Sequence, residues 1–119
     1  MRIIMIIDIK KIIDLYQMDR KTILKVLNIF LTSTDEDCKA LGSALNEKKL
    51  DEVNRFSHKL KASYSYLMCQ ESVTLCNEIR DEAKRTNNIV TVEPLVSKIF
   101  EIHKELIKEI HTYLEVPES

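Results

Sequence analysis

His58 and Lys61 stand three residues apart in the segment Arg55 to Ser65, RFSHKLKASYS. Residues three apart are neighbours on a helix surface, so the imidazole and the ammonium share one side if this segment is helical. Imidazole ordinarily titrates near neutrality, so much of it offers a free ring nitrogen that can attack an electrophile. Where the electrophile is a phosphoryl group, the product is a phosphohistidine whose oxygens need nearby positive charge. Lys61 supplies that charge along the same face, and Lys59 supplies it from the side. The sequence shows no paired acid and base, no Gly-rich phosphate loop and no metal-ligand pattern, so nucleotide hydrolysis or self-phosphorylation is poorly supported. Taken singly, His58 reads as a solvated surface histidine and Lys61 as a solvated charge; the pairing gives them weight.

The helix that positions them has a second face. Val53, Phe56, Leu60, Ser63 and Leu67 recur three and four apart, the spacing of a buried stripe. At ~100° per residue, His58 falls roughly 180° from the middle of that stripe, with Asn54, Lys61 and Ser65 as neighbours one turn away. The histidine is thus expected on the solvent side of a helix anchored from behind.

The remaining elements supply the anchor. Asp8 caps a short helix to Tyr16, and Asp19 caps a long one to about Glu47 with Ile23, Leu27, Phe30, Thr34, Cys38, Leu41 and Leu45 in one stripe. The cluster Thr32 to Asp37 is a candidate break, but the stripe runs through it unbroken. Gly42 inside that helix costs up to ~1 kcal/mol relative to Ala and marks close packing or a slight bend. The His58 helix runs from Leu50 to Leu67, with Asp51 and Glu52 complementing its dipole. Met68 and Cys69 turn the corner into a helix from Gln70 to Thr86 with Val73, Cys76, Ile79 and Ala83 inward. Asn87 and Asn88 end it. After a linker from Ile89 to Val92, Glu93 and Pro94 open the last helix, with Leu95, Ile99, Ile102, Leu106, Ile110 and Tyr113 facing the core. His103 borders that stripe as a core-edge residue, and His111 lies near the helix C-terminus. One of Tyr64 and Tyr66 is expected to be packed and the other exposed. Val116 to Ser119 is expected to fray.

The fold class is all-α: an antiparallel up-down four-helix bundle with a short extra N-terminal helix, residues 1–119 forming one domain. Composition agrees, with one Gly and two Pro among 119 residues and 45% hydrophobic side chains. Eighteen Lys and Arg against nineteen Asp and Glu leave a net charge of −1, without the basic excess that nucleic-acid binding requires. Cys38, Cys69 and Cys76 have no CxxC spacing and read as reduced core residues in a cytoplasmic protein. The apolar run Ile3 to Ile7 is too short for a signal-peptide core or a membrane span.

His58, Lys61, Ala62 and Ser63, followed by Leu67, Cys76 and Ile79, resemble the pattern of histidine-containing phosphotransfer (HPt) domains: a histidine, a lysine three on, a small residue four on and a serine five on. The resemblance extends over nearly the whole chain and is closest to the HPt modules that end hybrid sensor kinases. It implies a phosphoryl carrier without kinase activity of its own. His58 would accept a phosphoryl group from a receiver-domain aspartate of a response regulator and relay it to another receiver, Lys61 stabilising the phosphate. Asn54, Lys59, Ala62, Ser65 and Arg80 would form the partner surface. No cofactor or metal is implied in this domain, because the receiver brings its own Mg²⁺. Partners would be receiver domains and a sensor histidine kinase, in the same chain or another, with no nucleic acid and no membrane insertion. The family usually has Gly where this chain has Ala62, and many members carry Glu or Gln where this chain has Arg80. A guanidinium has no acceptor with which to orient the histidine ring, although it could contact phosphate; either Glu78 or another group takes that role, or the ring is held less firmly. The rival reading is a helical adaptor that keeps the bundle and binds a receiver or a partner helix without carrying phosphate.

Overall fold

The computed structural model describes residues 6–115. Five helices follow one another: α1 (Ile9–Tyr16), α2 (Arg20–Asn46), α3 (Leu50–Tyr66), α4 (Gln70–Thr86) and α5 (Ile89–Glu115). α3 packs between α2 and α4, and α4 packs on α5, which returns to α2. The segment Val116 to Ser119 and the first residues of the Ile3 to Ile7 run lie outside the described residues.

Aspartates start the first two helices as expected. The Asp8 carboxylate accepts from the Lys11 N–H at 3.0 Å and Asp19 accepts from the Thr22 N–H at 2.7 Å, filling orphan donors of a first turn. α2 continues through the Thr32 to Asp37 cluster. The Thr32 and Thr34 hydroxyls donate back to the Asn28 and Phe30 carbonyls at 3.2 and 2.7 Å, satisfying themselves within the helix instead of capping a new one.

Every corner turns on a non-glycine residue in the left-handed region: Gln17, Lys48, Met68 and Asn87, at φ of 52°, 58°, 56° and 49°. The single glycine, Gly42, lies inside α2 instead. A Cβ there would meet the Phe100 ring no closer than 3.8 Å, so packing does not demand glycine.

Three expectations need correction. α5 begins at Ile89, not at Glu93, and Pro94 lies inside it. The two asparagines divide the work: Asn87 ends α4 in the left-handed conformation, while the Asn88 side chain accepts from the Val90 N–H at 3.0 Å and starts α5 at once. The inward stripe of α3 is also shifted. Its fully buried residues are Val53, Ser57, Leu60 and Tyr64, followed by Leu67, whereas Phe56 and Ser63 are only half-buried, because α3 wedges between two helices and its flanks face them. His103, lastly, is buried and not at the core edge.

The core behind α3 contains a polar pair. The Tyr64 hydroxyl and His103 Nδ1 share a hydrogen bond of 2.9 Å, and the two rings meet edge-on. Burial pushes the Tyr64 hydroxyl far up and the His103 imidazole down, so both stay neutral. Burial likewise raises the Cys38 thiol to about 11 and those of Cys69 and Cys76 to about 12. All three cysteines are free thiols. The start of the described chain is pinned to α5, where the Glu109 carboxylate accepts from the Ile6 and Ile7 N–H groups.

Candidate functional site

α3 carries His58 because its inward residues hold it from behind. Measured at ~100° per residue, His58 lies about 130° from the centre of the Val53, Ser57, Leu60, Tyr64 stripe. The ring is exposed. Lys59, Ala62 and Ser65 are exposed around it, while Asn54 and Lys61 are half-buried on the flank toward α4. Lys61 therefore lays its methylene stem against the bundle and keeps its charge at the rim. The Cys76 thiol on α4 registers that charge: burial and neighbouring Cys38 raise it, and the Lys61 ammonium pulls the other way.

On the opposite flank of α3, Phe56 forms an aromatic platform. The Arg55 guanidinium lies 4.4 Å and the Lys59 ammonium 5.6 Å from its ring centroid, a cation–π arrangement that draws both charges toward the Phe56 flank. Arg55 also bonds the Glu52 carboxylate at 2.7 Å, which lowers that carboxyl below its usual range. Further along, Tyr66 stacks on Tyr16 at 4.8 Å. With Val26, Ile29, Phe30, Ser33 and Ser63 it lines a cavity of about 300 Å³ between α2 and α3. Ile29 and Tyr66 are 58% and 45% exposed, so an apolar patch opens between α2 and α3, about two turns along α3 from His58. Of the two tyrosines, Tyr64 is the packed one and Tyr66 the exposed one.

α4 faces two ways. Ser72, Cys76, Ile79 and Ala83 point into the core. Glu71, Thr74 and Glu78 line a groove with Lys98, Glu101 and Ile102 of α5, and Glu78, Asp81 and Glu82 line a second one with Thr91 and Pro94. Val73, Asn77, Arg80 and Lys84, spaced four, three and four apart, are left on the flank toward α3. Glu78 is thus on the α5 side and does not serve the histidine. Among the described residues, no side chain hydrogen-bonds the His58 ring.

Among the described residues, no cluster of three or more His, Cys, Asp or Glu is placed to hold a metal ion. No helix there is long and apolar enough to cross a membrane.

The structure thus presents an outward histidine on the third helix of an all-helical fold, with a lysine one turn along. The Hpt domain family matches residues 25–115, and the chain belongs to that family, whose members transfer phosphoryl groups through histidine in two-component systems. The solved HPT domain of the Hpt sensor hybrid histidine kinase from Shewanella superimposes with a TM-score of 0.80 at 18% identity, over 96% of this chain and 97% of that one. At that identity it speaks for the fold alone. No curated protein sequence matches this one.

The Tyr64–His103 pair and the Phe56 platform were not anticipated from the sequence. An aromatic and a histidine one helix apart in space, but 39 residues apart in sequence, leave no local signal.

Proposed function

We propose that this chain accepts a phosphoryl group on His58 from the acyl phosphate of a receiver-domain aspartate and relays it to the aspartate of another receiver. The observation that carries this reading is the exposed imidazole of His58, fixed on α3 with Lys61 beside it, in a chain of the HPt family. In the forward step the lone pair of a ring nitrogen forms the N–P bond. The P–O bond breaks, and its electrons leave with the receiver carboxylate. The proton on the other ring nitrogen stays with the ring until solvent takes it. Lys61 offsets the charge of the phosphoryl oxygens on the carrier. The receiver brings the acyl phosphate and the Mg²⁺ that supports its chemistry; this chain contributes the nucleophile, a cation and a rigid surface.

The layout we infer is an up-down antiparallel four-helix bundle led by one short helix, which keeps α3 still while a receiver docks over it. The basic rim of Lys59 and Lys61 around His58, with the apolar patch at Ile29 and Tyr66 further along α3, suits such a docking partner. A sensor histidine kinase, in the same polypeptide or another, would start the relay in the cytoplasm.

Incubation with a receiver charged by acetyl phosphate is expected to place an acid-labile label on the wild type and none on His58→Gln. Label surviving in that variant would overturn the assignment of His58. Among the described residues the His58 ring has no hydrogen-bond partner, and α4 presents Arg80 in place of an acceptor, which supports the adaptor reading. Receiver binding without any transfer by the wild type would favour it.

A further inference from the structure

The charges of α4 are sorted by side. Glu71, Glu78, Asp81 and Glu82 line the grooves shared with α5, while Arg80 and Lys84 lie on the flank toward α3. Two surface arginines have partners, Arg55 with Glu52 and Arg85 with Glu82, whereas Lys84 on the same flank as Arg80 has none among the described residues. Arg80 is exposed and has no carboxylate partner among the described residues.

Its height along the bundle follows from the corner. α3 and α4 are joined through Leu67, Met68 and Cys69, and the Cys69 N–H closes the turn on the Tyr64 carbonyl at 2.9 Å. In a helical hairpin, residues equally far from the corner lie level with each other. His58, roughly ten residues before Met68, is therefore level with the stretch of α4 from Asn77 to Arg80. Cys76 lies one turn before Arg80, and its thiol already registers Lys61. Lys61 and Arg80 thus border one seam, with His58 above it. Packed helices have axes about 8–10 Å apart, a gap that an arginine side chain can bridge.

We infer that Arg80 binds the phosphoryl group carried on His58, donating two N–H groups of its planar fork to two phosphoryl oxygens. The inference rests on His58 being the phosphorylated residue. Arg80 forms and breaks no covalent bond and moves no proton. It favours the phosphorylated state over the free one, because among the described residues it has no carboxylate partner and the phosphoryl group supplies an anionic one. An acceptor side chain in this place would instead orient the unmodified ring. The exchange makes this chain a holder of phosphoryl groups, with the transfer equilibrium shifted toward phospho-His58.

Potassium phosphoramidate phosphorylates accessible histidines without any protein partner, so the test needs no receiver. The ³¹P resonance of phospho-His58 is followed against pH in the wild type, Arg80→Gln and Arg80→Lys. A guanidinium on the phosphoryl oxygens holds their proton affinity down. Arg80→Gln is expected to raise the titration midpoint by about half a pH unit, roughly a threefold change in proton affinity, and Arg80→Lys to restore most of it. A merely structural role would not produce that charge-specific rescue, and thermal melts of the variants are expected to coincide. An Arg80→Gln resonance that titrates with the wild type overturns the inference. A wild type that shows the Arg80-dependent shift but takes no label from a charged receiver overturns the proposed relay and leaves the Arg80 contact standing.

Discussion

Two histidines less than fifty residues apart in sequence occupy opposite environments. His58 stands on the outer side of α3, its ring open to solvent and without a hydrogen-bond partner among the described residues. His103 is buried on α5, bonded through Nδ1 to the Tyr64 hydroxyl, with Nε2 unpartnered among the described residues. One ring is available for chemistry, and the other is held neutral in the core. α3 connects them, presenting His58 outward while Tyr64 reaches inward to His103. The difference between the two rings therefore comes from the side of the helix each occupies and not from residue type.

The comparison is most sharply tested by removing one hydroxyl. Tyr64→Phe keeps the ring packed but leaves His103 Nδ1 without its partner, and is expected to cost about 1–3 kcal/mol in urea denaturation. His58→Gln is expected to stay within ~0.5 kcal/mol of wild type. If His58→Gln proved the more destabilising, the division of roles would be broken.

Acid should act on the buried histidine. Burial lowers the folded-state affinity of His103 for a proton below its ordinary value of 6.5. The unfolded chain therefore binds that proton first, so the contribution is complete above about pH 6.5 and is lost as pH falls below it. The urea midpoint is expected to drop from pH 7 to pH 5 more steeply in the wild type than in His103→Gln. Parallel pH profiles would remove His103 as the sensitive group.

The smallest effect lies away from both rings. Gly42→Ala places a methyl in ordinary contact with Phe100 and is expected to stabilise α2 by up to ~1 kcal/mol, leaving phosphoryl uptake unchanged. Destabilisation would mean that α2 needs the flexibility of glycine there.

The sequence carried the helices and the outward placement of His58 because both rest on local signals: aspartate caps, the three-and-four spacing, and few turn residues. It missed the start of α5 because Asn88 reads as a stop until Asn87 is seen to be sufficient for that. It placed the α3 stripe one residue off because Ser57 is polar yet buried and Phe56 apolar yet half-buried. Periodicity records where apolar residues are, whereas burial on a helix with two neighbours also covers small polar ones. The position of Glu78 on the α5 side was beyond local reading, since it depends on which flank of α4 meets which helix. The left-handed corners at Gln17, Lys48 and Met68 were equally silent, because only glycine and asparagine advertise that conformation.

The central claim is that only one of the chain's three histidines carries phosphate. The direct measurement is peptide mapping at neutral to alkaline pH after incubation with a charged receiver. The account predicts an acid-labile phosphoryl group on the peptide containing His58 and none on those containing His103 or His111. A phosphoryl group on either of those, with His58 unmodified, would contradict it.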